Sequence, residues 1–138
     1  MEQKDFLKRQ IDEAGRVLAK ALSGLTGGKD PGKVREGIAN AEETLKSELD
    51  LDLDTFTDIP SEKFMEVINQ NEALPEAMYE EFADTLVELA KNYQQSGEQD
   101  TARNLFQKAL TLYEYLEESG STFSFGRHAK MENIKQSL

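Results

Sequence analysis

The feature that most constrains the fold is a pair of apolar stripes on either side of Gly97. The first stripe contains Leu86, Leu89, Ala90 and Tyr93, and the second contains Ala102, Phe106 and Ala109. Residues three and four positions apart share one face of an α-helix, so each stripe predicts a helix with one buried side. The glycine between them predicts the turn. The segment is therefore expected to form a helical hairpin, with alanines where the two helices touch.

The segment from 83 to 116 resembles a tetratricopeptide repeat, a unit of about 34 residues. The small-residue positions of that family are matched by Ala90, Ala102 and Ala109, and its bulky positions by Leu86, Leu89, Tyr93 and Phe106. Ala90 replaces the glycine usual in the first helix. Glu114 replaces the closing proline, so the second helix is expected to run past its usual end. The resemblance implies a helical surface that contacts a protein or peptide partner.

In that family, partner peptides lie in a groove lined by the first helix of each repeat. Carried onto this sequence, the resemblance implies partner-binding positions at Asp84, Val87, Lys91, Gln94 and Gln95. Lys91 is expected to receive a carboxylate, although the Lys/Asn/Arg combination that clamps a C-terminal carboxylate in some members is not reproduced. The alternative is that these side chains form an ordinary solvated helix face.

Only one such repeat is visible, and about three stacked copies usually complete a core. The N-terminal helices, or a second chain, must therefore complete this one. More broadly, the chain resembles a family of small bacterial proteins of unknown function. An opening helix (QKDFLKRQIDEAGRVLAKAL), a leucine-aspartate connector (LDLDTFTDIPSEKF) and a helical repeat carry that resemblance. It implies a bacterial origin and supplies no activity.

Two further amphipathic helices are predicted before the connector. The first, from Asp5 to Leu25, has an apolar stripe of Leu7, Ile11, Ala14, Leu18, Ala21 and Leu25. It is expected to end at Gly27 or Gly28. Asp30-Pro31 predicts the start of the second, because Asp is a preferred N-cap and Pro suits the first helical position. Its stripe is Val34, Ile38, Ala41, Leu45 and Leu49.

Apolar and acidic residues alternate from Leu49 to Ile59, which alone is a strand pattern. An isolated strand is unstable, so the segment is predicted to be an extended connector anchored by Leu51, Leu53, Phe56 and Ile59. Ser61 should then begin a short helix with Phe64, Val67 and Ile68 buried. Pro75 opens the first hairpin helix, Gly120 stops the second, and a final helix near 123 to 134 covers the hairpin.

Composition excludes several classes of function. The net charge is −11 and the chain has no basic block, which disfavours nucleic acids and anionic membrane surfaces as partners. The absence of cysteine excludes disulfides and thiolate chemistry. No apolar run approaches the ~20 residues of a membrane span, and charges interrupt the N-terminus where a signal peptide needs an apolar core. A cytoplasmic protein is expected.

No catalytic constellation or cofactor site is predicted. Asp50, Asp52 and Asp54 have the spacing of calcium-loop ligands, but Thr55 replaces the required glycine and Ser61 the bidentate Glu. They remain a weak metal candidate. The single histidine, His128, cannot build a multi-histidine zinc site and is expected to be exposed. The adjacent carboxylates at 42–43 and 80–81 are typical of helix surfaces.

We therefore expect a single all-α domain of five to six helices. It would comprise an N-terminal hairpin (1–49), a connector with a short helix (50–74), and the tetratricopeptide-like hairpin with a terminal helix (75–138). The first functional hypothesis is a non-enzymatic protein-interaction module. The alternatives are a structural protein that self-associates as a homodimer through its N-terminal helices or, less favoured, a small metal-binding protein.

Overall fold

The computed structural model describes residues 2–25, 30–119 and 125–138. These residues form seven α-helices and no strand, which confirms the all-α class with one helix more than the expected range. In chain order the helices are α1 (Glu2–Ser23), α2 (Pro31–Leu49), α3 (Leu53–Phe56), α4 (Ser61–Gln70), α5 (Tyr79–Gln95), α6 (Gln99–Glu118) and α7 (Phe125–Ser137). The helix stops predicted at Gly27, Gly28 and Gly120 lie outside the described residues.

Helices α1 and α2 pack against each other along their apolar stripes, as expected. Asp30 caps α2, because its carboxylate accepts a 3.0 Å hydrogen bond from the backbone N–H of Gly32. The helices approach so closely that a Cβ on Gly37 would lie 2.3 Å from the carbonyl oxygen of Gly24. The predicted start of the α1 stripe was wrong, since Leu7 is 51% exposed and full burial begins at Ala14.

The connector is not extended throughout, because the short helix α3 forms inside it. Asp50 ends α2 in the left-handed conformation (φ 54°), and the carboxylate of Asp52 accepts a 3.1 Å hydrogen bond from the N–H of Asp54. The alternating aspartates therefore occupy helix ends rather than one face of a strand. The apolar members of the alternation are buried as predicted: Leu51, Leu53 and Phe56.

Two details before the hairpin differ from the prediction. Val67 is 39% exposed rather than buried, because Phe64 and Ile68, four residues apart, define the buried face of α4. Pro75 does not open α5 directly. A 3-10 turn (Glu76–Met78) follows the proline, and the α-helix begins only at Tyr79.

The α5–α6 hairpin is the most extensively packed pair of helices in the chain. Leu86, Leu89, Ala90, Ala102 and Ala109 are completely buried, as predicted. Gly97 forms the turn with φ 85°, a conformation that favours glycine. Helix α6 continues to Glu118, past Glu114, as expected from the missing proline. Leu112 on α6 is also buried, whereas Leu110 is only partly buried.

Among the described residues, one hydrophobic core includes side chains from all seven helices. Helices α1 and α2 contact α5 directly, so the N-terminal hairpin does not depend on the connector alone. Two polar contacts strengthen this packing: the Asn92 amide donates to the carbonyl of Leu25 at 3.5 Å, and the Tyr93 hydroxyl donates to Glu42. Within the described residues, no helix combines the length and apolar character that crossing a membrane requires.

Candidate protein-binding site

A cavity of about 410 Å³ lies beside α5, between α6 and α7. Its apolar walls are Val87, Phe106, Ile134 and Leu22, the last contributed by α1. Its polar lining comes from Asp84, Glu88, Lys91, Tyr113, Lys130, Asn133 and Ser137. An apolar cleft of this size with a few polar groups at its rim is typical of sites that accept one side chain or a small ligand.

The cavity includes three of the five partner-binding positions predicted from the sequence. Asp84, Val87 and Lys91 line it, because spacings of three and four residues place them on one face of α5. The other two positions, Gln94 and Gln95, do not line the cavity. Gln95 is exposed, and the backbone carbonyl of Gln94 accepts the N–H of Gly97 in the turn at 3.1 Å. The predicted surface therefore separates into a cavity wall and the turn beyond it.

Lys91 has an ion-pair partner but is still accessible. Its amine lies 3.4 Å from the carboxylate of Glu88, one turn earlier, and its side chain is 58% exposed. Exposed pairs of this kind contribute about 0–1 kcal/mol, so an incoming carboxylate could replace Glu88 at little cost. This geometry fits the role predicted for Lys91 at the rim.

Asp84 is held in place from two sides. The Tyr113 hydroxyl donates a 2.5 Å hydrogen bond to it, and the Lys130 amine lies 3.0 Å from the same carboxylate. Burial first, and then the hydrogen bond to Asp84, raises the pKa of Tyr113, so the phenol remains a donor across the physiological range. Asp84 is therefore a fixed element of the cavity wall rather than an unengaged partner group.

Beyond the cavity, charged side chains of α7 contact both helices of the hairpin. The Arg127 guanidinium, whose side chain is 7% exposed, lies 3.0 Å from Glu80 on α5 and 2.9 Å from Glu117 on α6. Lys130 lies 3.0 Å from the second oxygen of Glu80. Burial alone would raise the pKa of Glu80, but the hydrogen bonds from Lys130 and Arg127 outweigh it and lower that pKa. Glu80 is therefore ionised in this network.

The residues of the metal candidate lie at helix ends. Asp50 ends α2 through its backbone, whereas the carboxylate of Asp52 begins α3 and lies 4.0 Å from the amine of Lys46. Across residues 2–25, 30–119 and 125–138, no three His, Asp or Glu side chains are placed to hold one metal ion together. His128 is exposed, as expected.

A second cleft, which is polar and has a volume of about 300 Å³, lies where α3 faces the α5–α6 turn. Glu42 and Tyr93 meet there, with Asp54 and Glu98 close by. Burial is the main reason that the pKa of Glu42 is raised, and the neighbouring carboxylates add to the effect against the hydrogen bond from Tyr93. The cleft is acidic, and its central hydrogen bond joins α2 to α5.

At the N-terminal end of α1, Phe6 and Leu7 are 66% and 51% exposed. They border a shallow groove of about 620 Å³ that also includes Leu74, Pro75 and Tyr79. Burial first, and then nearby Tyr115 and Glu76, raises the pKa of Tyr79 to about 12. Ala14, Leu18, Ala21 and Leu25 of the predicted stripe are buried, so the large exposed apolar side chains among the described ones of α1 lie at this end.

Several residues of the site were not predicted from the sequence. Lys130 and Ile134 of α7 line the cavity, as does Tyr113 of α6. Phe106 also contributes to it, although the sequence predicted only a core residue there. The available signal was the spacing of Arg127, Lys130 and Ile134, which places two bases and one apolar side chain on one helix face. That pattern gives no information about which helix it packs against.

Comparison of the chain with protein-family models, curated proteins and solved structures found no match.

Proposed function

We propose that this protein is a non-enzymatic interaction module of the bacterial cytoplasm that binds a segment of a protein partner at the cavity beside α5. The observation that supports this proposal is the cavity of about 410 Å³ with Val87 and Lys91 in its wall. Three of the five positions implied by the tetratricopeptide resemblance, Asp84, Val87 and Lys91, line this cavity.

In this proposal, the partner inserts one apolar side chain between Val87, Phe106 and Ile134. Removing apolar surface from water supplies the affinity, at about 25 cal/mol per Å² buried. A carboxylate flanking that anchor would then replace Glu88 on Lys91. The partner segment would thus combine an apolar anchor with an adjacent acidic side chain.

The test is selection of peptides from a displayed random library on the full-length protein, followed by affinity measurement with fluorescent copies. Val87→Trp fills the cavity and Lys91→Glu reverses the charge at its rim. We expect the first to weaken binding at least about tenfold, since it removes the space for the anchor. The second should selectively weaken peptides with an acidic side chain.

Val67→Trp is the matched control, because Val67 is a partly exposed valine on α4, outside the cavity. It should leave affinity unchanged. Circular dichroism of each variant verifies that its helices are retained. Equal binding by wild type and Val87→Trp, or a library that yields no binding peptide, would contradict the proposal.

Self-association is a second candidate, favoured by the exposed Phe6 and Leu7 beside their groove. A two-fold dimer requires each copy to present both a projecting group and a site that receives it. Here Phe6 would enter the groove near Leu74 and Tyr79 of another copy. This arrangement uses only the first turns of α1 rather than the whole stripe.

Light scattering over a range of concentrations tests this candidate. We expect a dimer in wild type and a monomer in Phe6→Asp, whereas Val67→Asp should remain dimeric. A wild-type chain that stays monomeric at high concentration would exclude self-association as its function.

A further inference from the structure

Helix α7 differs in charge from the chain around it. It contains three basic side chains (Arg127, Lys130 and Lys135) and one acidic one (Glu132), whereas the whole chain has a net charge of −11. Among its described side chains, only Ile134 is a fully buried apolar residue, and Met131 is partly buried. Its contact with the hairpin is therefore mainly electrostatic.

The surface that receives α7 is acidic and is built from both hairpin helices. Glu80 and Asp84, one turn apart on α5, contact Lys130, and Glu80 also contacts Arg127. Glu117 near the end of α6 also contacts Arg127. Lys130 additionally lies 5.9 Å from the centre of the Tyr113 ring, where a cation is attracted by the aromatic face.

The contacting side chains have the spacing of a helical ligand. Arg127, Lys130 and Ile134 stand at positions i, i+3 and i+7, which share one helix face. Helices that bind in grooves of other proteins use anchors at these intervals. In α7, two of the three anchors are cations that meet carboxylates, and the third is an apolar side chain in the cavity wall.

We propose that the acidic face of the α5–α6 hairpin binds a basic amphipathic helix of a partner protein, and that α7 occupies this face until the partner displaces it. The proposal rests on the proposed function and changes one part of it. The partner is a helix with two bases and an aliphatic residue at the α7 spacing, in place of the acidic segment described at the cavity rim, and the aliphatic residue takes the position that Ile134 leaves with α7. Displacement is feasible because a partner helix with the same anchors restores the ion pairs that Arg127 and Lys130 give up. The pairs of Lys130, whose side chain is 38% exposed, are also screened by salt.

The tether gives α7 a large advantage over a separate helix. A segment joined by a short linker has an effective concentration in the millimolar range, so a free competitor binds poorly while α7 is in place. Weakening α7 should therefore increase the affinity for an added helix. A face that merely required α7 for folding would show no such gain.

The probe is a synthetic fluorescent peptide with the sequence of residues 125–138. It is titrated into the full-length wild type and into Arg127→Glu/Lys130→Glu, in which the tethered helix carries the wrong charge. We expect the variant to bind the peptide at least about tenfold more tightly than wild type, because its face is vacated. A peptide carrying the same two Glu substitutions is the control and should not bind the variant.

Equal affinity for wild type and variant, or no binding of the peptide to either, would overturn the proposal. If the variant does not fold, hydrogen exchange of the wild type at about 0.1 M and about 1 M NaCl tests whether α7 can leave the hairpin, since salt screens the ion pairs. Faster exchange confined to α7 at high salt supports the proposal, and unchanged protection of α7 overturns it. A library peptide that binds at the cavity while α7 stays protected would leave the proposed function intact and refute this inference alone.

Discussion

The two helix contacts made by the α5–α6 hairpin differ in chemistry. Between α5 and α6, alanines and leucines are completely buried, with the hydrogen bond from Tyr113 to Asp84 as a polar contact between the two helices. Between the hairpin and α7, the described contacts are mostly ion pairs, with Ile134 as the fully buried apolar side chain. Apolar burial resists both salt and acid, whereas ion pairs weaken in both. The first contact is suited to a permanent scaffold and the second to a contact that can be exchanged.

The largest expected effect separates these two contacts by truncating one buried side chain in each. Leu89→Ala should lower the free energy of global unfolding by about 2–5 kcal/mol, because it leaves a cavity in the scaffold. Ile134→Ala should instead release α7 locally and leave most of the global stability unchanged. Urea unfolding measures the first effect, and hydrogen exchange resolves the second by helix.

The exposed Val67→Ala provides the baseline for both variants, with an expected change within about 0.5 kcal/mol. If Ile134→Ala lowered global stability as much as Leu89→Ala, α7 would have to be counted as part of the scaffold. The distinction between the two contacts would then fail.

The next effect is an acid-induced loss of the α7 contact. The folded protein lowers the pKa of Glu80 below its ordinary value of 4.5, so ionised Glu80 stabilises the fold at neutral pH. That contribution is lost as pH falls through the lowered pKa. We expect NMR signals of α7 to change below pH 4.5, with a loss of about 1 kcal/mol of docking stability.

Glu80→Gln should remove most of this pH dependence and leave α7 less protected already at neutral pH. Its neighbour Glu81 is exposed and provides the matched variant Glu81→Gln. In that variant the NMR signals of α7 should change with pH as they do in wild type. Identical acid profiles for the two variants would show that Glu80 does not control the contact.

The smallest expected effect concerns the contact between α2 and α5. Burial raises the pKa of Glu42, so its ionised form opposes folding and wild-type stability declines as pH rises through the raised pKa. Glu42→Gln keeps an acceptor for Tyr93 without the charge. It should raise the free energy of unfolding by about 0.5 kcal/mol at neutral pH and give no gain in acid.

Thermal unfolding of Glu42→Gln at neutral and acidic pH measures this difference, with the exposed Glu43→Gln as its control. A variant less stable than wild type at neutral pH would show that the ionised hydrogen bond to Tyr93 outweighs the cost of burial.

The scaffold could be predicted from the sequence because its determinants are local. The spacing of Leu86, Leu89 and Ala90, the turn at Gly97 and the absence of proline at 114 define the hairpin and the extent of α6. The start of α5 was predicted at Pro75 and lies at Tyr79, because a 3-10 turn comes between them. The connector was harder to predict, because an Asp that caps a helix and an Asp on a strand give the same alternation. For this reason the segment that contains Asp52 was predicted to be extended, and the short helix α3 that Asp52 caps was missed.

The candidate site was only partly predictable. Asp84, Val87 and Lys91 follow from one helix face, so their proximity needed no tertiary information. The contacts of Arg127 with Glu80 and Glu117 depend on how three helices are rotated relative to one another, which periodicity does not specify. Glu80 was therefore expected to be an ordinary surface carboxylate, although it lies at the centre of an ion-pair network.

The close approach at Gly37 offers a genetic means of loosening the packing of α1 against α2. A methyl group there would collide with the backbone of Gly24, which cannot rotate away as a side chain could. Gly37→Ala would therefore push α1 and α2 apart at a point two residues from Leu22, which lines the cavity. In a living host such an allele should be heat-sensitive, so that a shift in growth temperature would reveal which cellular process requires the intact protein.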